Sequence, residues 1–409
     1  MAYLAFMLLA LNRDDAGWFQ YVYRNWALGS FILTCVLLAV IVWLVLRKYI
    51  KIMLNIIRDT PPPLAMGPCD FRRIDGERVV FRSFDNLNLC GMFLPGRHEG
   101  RPKGMVIFAH EFSSDMYSCA RYCRPLLEAG YDLFSFDFRG HGESSNVPGY
   151  QPRQWPTECE MNDMLGAIAY VEDWLEQRGR PVEVGLFGIS RGAGAAILAA
   201  QHHPAVKAII TDGAFSSDTT LEYLMKRWAY IFAKVRFVYE NHPPQFWRFL
   251  RWLLFRECRR KLGCTFPSVR KALMRSPPGR PTLFIHGERD SYIPVEQSKL
   301  LYESAPTPKE LWVVPGAKHN QSVVVRPAEY ARRTVGFFDR FLTGPSAREG
   351  RLDGSRAGID RETDATGTDS AAYGPRPQPA VGKTFASPSS SPPLPGGVAS
   401  RARLRGRRR

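Results

Sequence analysis

Short apolar runs alternate with segments of helical periodicity between residues 64 and 342. Eight of these runs predict β-strands: RVVFRSF, NLCGMFLPG, GMVIFAH, YDLFSFDF, VEVGLFGI, VKAIITDG, TLFIHGE and ELWVVPG. Helical patterns lie between them, at about 114–129, 157–178, 191–202, 295–304 and 327–342. Strands that alternate with helices favour a parallel sheet covered on both faces. The pattern therefore predicts an α/β domain with an eight-stranded, mainly parallel sheet, opened by an antiparallel pair that turns at Asp85 and Asn86.

A different hydrophobic pattern precedes this domain. Residues 27–46, ALGSFILTCVLLAVIVWLVL, form an uncharged run of about twenty residues, the length that a helix needs to cross a bilayer core. We predict one transmembrane helix here, because a buried helix of a soluble protein rarely lacks every charge over that length. Residues 1–26 form an N-terminal segment whose own apolar run, MAYLAFMLLAL, is too short to span, and residues 47–63 form a basic juxtamembrane linker.

Basic residues around the span indicate its orientation. Four follow it between positions 47 and 58, whereas Arg13 and Arg24 precede it beside two aspartates. Positive charge favours the cytoplasmic side, so the catalytic domain is expected there. The eight cysteines show no CxxC pair, which agrees with free thiols in a reducing compartment.

The interval between Gly213 and Thr282 contains no strand pattern over about seventy residues, which is implausible for a structureless loop in a compact domain. We therefore predict an inserted helical cap at about 216–280. Within it, residues 221–262 interleave aromatic and basic side chains. Two interpretations are open: the cap rests on the bilayer, where Trp, Tyr and Arg suit the headgroup layer, or its aromatic side chains pack over the functional site.

Charge and composition limit which partners and cofactors are expected. The 409-residue chain carries a formal net charge of +16, concentrated beside the apolar run, within 226–280 and in the final RARLRGRRR. From 343 to 409 the hydrophobic periodicity vanishes, so a disordered basic tail is predicted. The chain matches no nucleic-acid-binding module and no metal-ligand spacing, so no specific nucleic-acid partner, metal or cofactor is expected.

The first indication of chemistry is VEVGLFGISRGAGAAILAA, residues 182–200. A G-x-S-x-G turn between a strand and a helix exposes its serine at the carboxyl edge of a sheet, and the glycines avoid collisions with neighbouring backbone. A serine hydroxyl becomes a nucleophile when a base removes its proton and a third group holds that base in place. Ser190 is therefore the predicted nucleophile.

Its partners should follow as an acid and then a histidine, each after a later strand. TLFIHGERDSYIP supplies Asp290 and LWVVPGAKHNQS supplies His319, each just past a strand. We predict that His319 acts as general base and then general acid, and that Asp290 orients it. Glu288 and Asp212 are rival acids, but the first precedes the turn and the second follows another strand. Three further histidines are interpreted as structural: His110, His141 and His286.

The third requirement is an oxyanion hole with two backbone N–H donors. Arg191, directly after the serine, supplies one, and the loop AHEFSSD is expected to supply the other. In order, IFAHEF, FDFRGHGES, GISRG, HGERDSYIP and GAKH give residues 78–342 a resemblance to the α/β-hydrolase superfamily, especially its serine-aminopeptidase-like and monoglyceride-lipase-like branch. The resemblance implies that the Phe112 N–H is the second donor and that FDFRGHGES is a structural loop.

Two charged residues depart from the usual pattern. The family usually has His-Gly where this chain has His110 and Glu111, and a carboxylate near a developing oxyanion is unfavourable unless it is paired. We hypothesise that Glu111 and Arg191 form an ion pair beside the oxyanion hole. Two alternatives stay open: Arg191 binds a carboxylate or phosphate of the substrate, or it covers the sheet edge or pairs with an acid of the cap.

Together these features predict a membrane-anchored serine hydrolase that cleaves carboxylic esters through a Ser-His-Asp triad and an acyl-enzyme intermediate, with lipid-like acyl esters among the candidate substrates. One alternative is a serine aminopeptidase or amidase acting on short peptides, which would share the triad. Another is a non-catalytic membrane interaction protein on a hydrolase fold, which the intact Ser190, Asp290 and His319 disfavour. The expected partners are a small-molecule or lipid ester and the membrane.

Overall fold

A computed structural model describes residues 15–58, 74–232, 242–277 and 280–342 of the chain. The predicted apolar run near the N-terminus, the end of the juxtamembrane linker and the basic tail at 343–409 lie outside the described residues. The strands are β1 Glu77–Arg82, β2 Asn88–Leu94, β3 Met105–Ala109, β4 Asp132–Phe136, β5 Val184–Ile189, β6 Val206–Asp212, β7 Thr282–Gly287 and β8 Lys309–Val314. Each predicted strand is therefore present, and the predicted fold class is confirmed.

The helices alternate with these strands as the periodicity predicts. They are α1 Asp15–Arg58, α2 Cys119–Tyr122, α3 Arg124–Glu128, α4 Glu158–Gln177, α5 Arg191–Ala200, α6 Ser217–Phe232, α7 Pro244–Leu262, α8 Val269–Met274, α9 Val295–Ser304, α10 Ser322–Val325 and α11 Pro327–Phe341. A single 3₁₀ turn at Met116–Ser118 precedes α2.

The eight strands form one sheet in the order β1-β2-β4-β3-β5-β6-β7-β8. The pairs β1–β2 and β2–β4 are antiparallel, and every other neighbouring pair is parallel. The chain reverses its direction across the sheet between β3 and β5, and the crevice at such a switch point is the usual ligand site of an open α/β sheet. The carboxyl ends of β3, β5, β6, β7 and β8 therefore meet at one edge.

Helices cover both faces of the sheet, so its central strands are apolar on both sides. Every residue of β3, β4, β5 and β7 is buried. One core lies between the sheet and α4 and α5, and the other lies between the sheet and α2, α3 and α11. Strands buried on two faces lose the polar alternation of a half-exposed sheet, which explains their continuous apolar sequences.

The cap consists of α6, α7 and α8, inserted between β6 and β7. Apolar side chains of α6 and α7 form a third cluster, and the last turns of α1 belong to that cluster. Val269 and Leu273 of α8 pack instead into the core between the sheet and α4 and α5. Ile50, Met53, Leu54 and Ile57 are buried in the third cluster, and the Tyr49 hydroxyl donates to the Met225 carbonyl at 2.8 Å. The cap is therefore a layer of inserted helices closed on one side by the N-terminal helix.

Helix α1 is 44 residues long, about 66 Å at the usual rise per residue. Within the described residues it is the one helix that is long and apolar enough to cross a membrane, and none of its most apolar window is buried. Residues 47–58, predicted as part of a linker, continue this helix without a break.

Candidate active site

Ser190 occupies the sharp turn between β5 and α5. Its backbone has φ 52° and ψ −114°, a conformation that side-chain-bearing residues rarely adopt, and its N–H donates to the Asp212 carbonyl at 2.7 Å. The flanking glycines permit this turn. A Cβ atom on Gly188 would lie 2.5 Å from Cα of Ala193, and one on Gly192 would overlap the Ala109 carbonyl oxygen. The turn has the geometry of a nucleophile elbow.

The fold brings His319 and Asp290 to this serine. Oγ of Ser190 lies 2.9 Å from Nε2 of His319, and Nδ1 of His319 lies 2.6 Å from Oδ2 of Asp290. His319 follows β8 and Asp290 follows β7, so both reach the site from the carboxyl edge of the sheet. All three side chains are largely buried. The arrangement can pass a proton from the serine to an imidazole that the carboxylate orients.

Asp290 is held as a carboxylate by several donors. Oδ1 accepts from the backbone N–H groups of Tyr292 and Ile293 at 2.9 and 2.8 Å. Burial alone would raise the pKa of Asp290, but hydrogen bonds to His286 and His319 outweigh burial and hold this pKa below its ordinary value. A carboxylate in this state can stabilise an imidazolium during catalysis.

The two rival acids are engaged elsewhere. Glu288 accepts from the Gly316 N–H at 3.0 Å. Asp212 accepts from the hydroxyls of Ser322 and Tyr330, each at 3.2 Å, and burial raises its pKa to about 6. Neither carboxylate forms a hydrogen bond with His319, so Asp290 is the acid that the geometry favours.

The two predicted oxyanion donors come from adjacent segments. The Arg191 N–H is at the first position of α5, where helix N–H groups have no acceptor within the helix. Phe112 lies in the loop after β3, and Gly192 presses directly against the Ala109 and His110 carbonyls of that segment. This contact brings the loop and the start of α5 together beside Ser190.

His110 fixes the shape of the same loop, as its structural interpretation implied. Nε2 accepts from the Phe138 N–H at 3.1 Å, so Nδ1 carries the proton that it donates to the Glu111 carbonyl at 2.6 Å. Burial, followed by the nearby His141 and Arg191, holds the pKa of His110 well below its ordinary value. His110 is therefore neutral and ties the loop after β3, AHEFSSD, to the segment after β4. We call this loop, which carries the predicted donor Phe112, the oxyanion loop.

The hypothesised ion pair between Glu111 and Arg191 is wrong. The Glu111 carboxylate faces the hydroxyls of Tyr122 and Ser118, at 3.2 and 3.4 Å. The Arg191 guanidinium turns the other way, to Glu160 of α4, where Nη1 lies 3.5 Å from Oε1. The reason is packing, since Glu111 projects toward α2 and Arg191 toward α4. The alternative that Arg191 pairs with an acid comes nearest, but the acid lies on a core helix and not in the cap.

Arg191 also contacts the rings around the oxyanion loop. Its guanidinium carbon lies 5.4 Å from the centre of the Phe112 ring and 5.1 Å from that of Phe138. Nη2 lies 3.4 Å from Nε2 of His141, and burial followed by the Arg191 charge lowers the pKa of His141 to about 3. His141 is thus neutral, with Nε2 as an acceptor. The buried guanidinium therefore places positive charge beside the ring of Phe112, whose N–H is a predicted oxyanion donor.

Two supporting residues were not predicted. No feature of the sequence distinguishes Glu160, because acidic residues are common in the first turn of a helix. Glu160 also completes a capping box with Thr157. His286 was interpreted as structural, yet its Nε2 lies 3.3 Å from Oδ2 of Asp290. Its position four residues before Asp290 was the one signal in the sequence. Within the part of the chain that the structure describes, no group of three or more His, Cys, Asp or Glu side chains could hold a metal ion.

The chain is similar to several known proteins. A sequence model of the family described as serine aminopeptidase, S33, matches residues 100–241. The uncharacterized protein YqkD of Bacillus subtilis is 24% identical over 283 residues, covering 66% of this chain and 85% of YqkD. Human protein ABHD12B is 26% identical over 224 residues, covering 53% of each chain.

Among solved structures, the Pyrococcus furiosus esterase Pf2001 is similar at 23% identity and a TM-score of 0.49, covering 69% of this chain and 97% of the esterase. The strand order, the elbow serine between β5 and α5, and the family match over residues 100–241 identify the chain as an α/β hydrolase of the serine hydrolase class.

Proposed function

We propose that the chain is a membrane-anchored serine esterase in which Ser190, His319 and Asp290 form the catalytic triad. The observation that carries this proposal is the continuous set of contacts from the Ser190 hydroxyl through the His319 ring to the Asp290 carboxylate, at 2.9 and 2.6 Å. Nucleophile, base and orienting acid are within hydrogen-bond reach of each other, which is the requirement for an activated serine.

In the proposed reaction, Oγ of Ser190 attacks the ester carbonyl carbon while Nε2 of His319 takes its proton. The backbone N–H groups of Phe112 and Arg191 bind the oxyanion of the tetrahedral intermediate. The imidazolium then gives its proton to the departing alcohol, which leaves the acyl group on Ser190. Water, deprotonated by His319, attacks this acyl-enzyme and releases the carboxylic acid and the free serine. Protein groups supply every proton transfer in this scheme.

Esters are favoured over peptides with a free amino terminus because of the local carboxylates. An aminopeptidase has to recognise a cationic amino group, which calls for an acid that faces the substrate. Glu111 is directed to Tyr122 and Ser118, and Glu160 is engaged by Arg191. Neither of these acids next to the elbow is free for that task, which supports an ester substrate.

Helix α1 supports the proposal of a membrane anchor, with the cap at the membrane surface. Ile50, the first buried residue of α1, comes four residues after the end of the apolar run at 27–46, about 6 Å along the helix. The cap packs on this part of α1, within the depth of a lipid headgroup layer. Basic residues after the run favour placing the catalytic domain on the cytoplasmic side.

The outer face of α7 suits that position. Phe249 and Trp252 are 48% and 54% exposed, and their rings stack at 6.0 Å. The Arg256 guanidinium lies 5.6 Å from the centre of the Trp252 ring. Exposed aromatic side chains flanked by arginines are typical of helices that lie in the interface of an anionic bilayer. We therefore propose that this face of α7 rests on the membrane.

The catalytic proposal is tested by labelling the detergent-solubilised full chain with a fluorophosphonate probe. Wild-type protein should be labelled, Ser190→Ala should not, and the matched control Ser145→Ala, at an exposed position, should be labelled like wild type. Labelling that persists in Ser190→Ala would contradict the assignment. A folded wild type that takes no label would favour the non-catalytic interaction protein. p-Nitrophenyl esters of increasing chain length, compared with aminoacyl p-nitroanilides, then separate esterase from peptidase.

The membrane proposal is tested with the full chain in nanodiscs that contain brominated anionic lipid. Trp252→Phe should remove part of the quenchable tryptophan emission, because bromine quenches only rings at the bilayer. Trp174→Phe, a half-buried ring of α4, should leave the quenchable part unchanged. An unchanged quenchable part in Trp252→Phe would mean that α7 does not contact lipid.

A further inference from the structure

We propose that Arg153 and Trp155 form an anion-binding subsite between the candidate active site and the cap, which takes a phosphate or carboxylate group of the substrate. This inference rests on the proposed function, since it names a property of the ester that Ser190 would cleave. Arg191 itself is not the anion-binding residue, because its guanidinium is paired with Glu160. The proposed subsite consists of two other residues, on the neighbouring loop.

The loop that carries the subsite packs against the start of α5. The Arg153 carbonyl accepts from Nη1 of Arg191 at 3.1 Å. Three residues further along, Pro156 packs against α5 so closely that a Cβ atom on Gly194 would lie 2.8 Å from its ring. The backbone of Arg153 is thus held against the Arg191 guanidinium, and the loop is fixed against α5.

The same loop faces the site from the side of the cap. The Trp155 ring packs edge-on against Phe215 at 5.7 Å, and both belong to the apolar cluster of the cap. Phe215 follows Gly213, where a Cβ atom would lie 3.2 Å from Cε1 of His319. Trp155 is therefore separated from the His319 ring by one short turn of chain.

Both side chains are buried with donors that no group in the described part of the chain satisfies. Arg153 is 6% exposed and Trp155 is 3% exposed. Nε of Arg153 and Nε1 of Trp155 have no hydrogen-bond partner among the described residues. Buried N–H donors are nearly always paired, so two orphaned donors on neighbouring positions indicate a missing acceptor.

The Arg153 charge is also uncompensated. Among the described residues, its one side-chain hydrogen-bond contact is from Nη1 to Sγ of Cys264, at 3.9 Å. Burial raises the pKa of the Cys264 thiol to about 12, so this partner is neutral. Within the described parts of the chain, no carboxylate lies within ion-pair distance of Arg153.

Glu160, the partner of Arg191, is already engaged by several donors. Glu160 faces the guanidinium of Arg191, and its oxygens also accept from Thr157 and Tyr150, each hydroxyl at 2.6 Å. Arg191 thus has a carboxylate partner, whereas Arg153 has none among the described residues. Removing a cation from water is costly unless a counter-charge accompanies it, so an anion bound at Arg153 would complete the site.

The donor set indicates which anions fit. A guanidinium binds carboxylate and phosphate oxygens through parallel N–H groups, and an indole N–H adds one further donor. An ester whose alcohol part carries a phosphate or carboxylate would place its acyl carbon at Ser190 and its charge at Arg153. Free inorganic phosphate offers the same chemistry, so the experiment has to separate these two sources.

The experiment compares two chromogenic hexanoate esters on the full chain in neutral detergent, one of 4-nitrophenol and one of the anionic 3-hydroxy-4-nitrobenzoate. The readout is the ratio of kcat/KM for the anionic ester to that for the neutral ester. In Arg153→Gln this ratio should fall about tenfold or more, the effect of losing a charge-assisted hydrogen bond. In Arg153→Lys the ratio should fall less, because lysine keeps the positive charge but lacks the parallel N–H groups of the guanidinium. Arg259→Gln, at an exposed position of α7, is the matched control and should keep the wild-type ratio.

Fluorophosphonate labelling of Ser190 in the same samples separates this inference from the proposed function. If Arg153→Gln is labelled and its ratio of kcat/KM values equals that of wild type, the subsite proposal is overturned and the esterase proposal stands. Inorganic phosphate that raises the melting temperature of wild type, but not of Arg153→Gln, without a change of the ratio would overturn the assignment to substrate in favour of a free anion. A melting temperature that falls on substitution, with loss of labelling, would show that Arg153 is a structural residue and would also overturn the subsite.

Discussion

Nε2 of His286 lies 3.3 Å from Oδ2 of Asp290, the same carboxylate oxygen that lies 2.6 Å from Nδ1 of His319. Asp290 therefore sits between two imidazole rings. One ring faces Ser190, and the other is fully buried behind the carboxylate. His286 is a positioning residue, since it acts on the reaction only through Asp290.

The hydrogen bonds around His286 indicate that it is protonated. The Ser298 hydroxyl donates to the Ala214 carbonyl at 3.0 Å, so it accepts from Nδ1 of His286 at 2.7 Å. Nε2 faces the Ile293 carbonyl at 2.9 Å. Both ring nitrogens therefore donate, which requires an imidazolium. Burial would lower the pKa of His286, but the hydrogen bond to Asp290 and its charge outweigh burial and raise this pKa.

We expect His286→Gln to lower the free energy of unfolding by about 1–3 kcal/mol at pH 5.5, since it removes a buried charged hydrogen bond. A raised pKa in the folded state means that the stabilisation is complete below the ordinary histidine pKa and is lost as pH rises through the folded pKa. The difference from wild type should therefore shrink toward pH 9, as urea unfolding in detergent would measure. His203→Gln, which alters a partly exposed contact with Glu172, should have little effect at either pH. A difference that grows with pH would contradict a charged His286.

Replacing Asp290 by asparagine should lower kcat by roughly 10³- to 10⁴-fold, because the amide no longer holds His319 in the productive tautomer or stabilises its charged form. Asp212→Asn is the matched control, since Asp212 contacts Ser322 and Tyr330 and not His319. It should cost much less activity. Steady-state hydrolysis of p-nitrophenyl esters measures both, and a larger loss for Asp212→Asn would transfer the role of the acid to that residue.

Gly192→Ala should damage both stability and activity. The added methyl group would overlap the carbonyl oxygens of Ala109 and His110, which are backbone atoms that cannot move without displacing the oxyanion loop. We expect a loss of at least about 2 kcal/mol in the free energy of unfolding, typical of overpacking, together with a lower kcat. In Gly336→Ala the methyl group would meet nothing within 4 Å, and the substitution should stabilise α11 by about 0.5–1 kcal/mol. A harmless Gly192→Ala would mean that the loop tolerates displacement.

Glu160 and Glu111 should differ sharply when each is changed to glutamine. Glu160→Gln leaves the fully buried Arg191 without its carboxylate and should cost about 3 kcal/mol of stability, as expected for a broken buried pair. Burial raises the pKa of Glu111, and its contacts are two hydroxyls, so Glu111→Gln should cost less than about 1 kcal/mol. Urea unfolding of the two variants measures this difference, and equal costs would reopen a pairing of Glu111 with Arg191.

The strands and the order of the candidate triad follow from local patterns in the amino-acid sequence. The eight apolar runs correspond to the eight strands of the sheet. They can be recognised locally because a strand that is buried on both faces requires continuous apolar residues. Ser190, Asp290 and His319 were predicted together because each follows a parallel strand, and parallel strands end at one edge of the sheet. Topology alone brings such residues together, with no knowledge of how their side chains pack.

Which side chains contact each other depends on the packing of the folded chain. Glu111 and Arg191 flank the same loop yet point to different helices, and the partner of Arg191 lies on α4. The role of α1 in the cap was likewise hidden, because the buried residues after position 46 continue a long apolar run. Side-chain partners depend on the rotation and depth of packed helices. Those are set by the whole core, so no local pattern of residues encodes them.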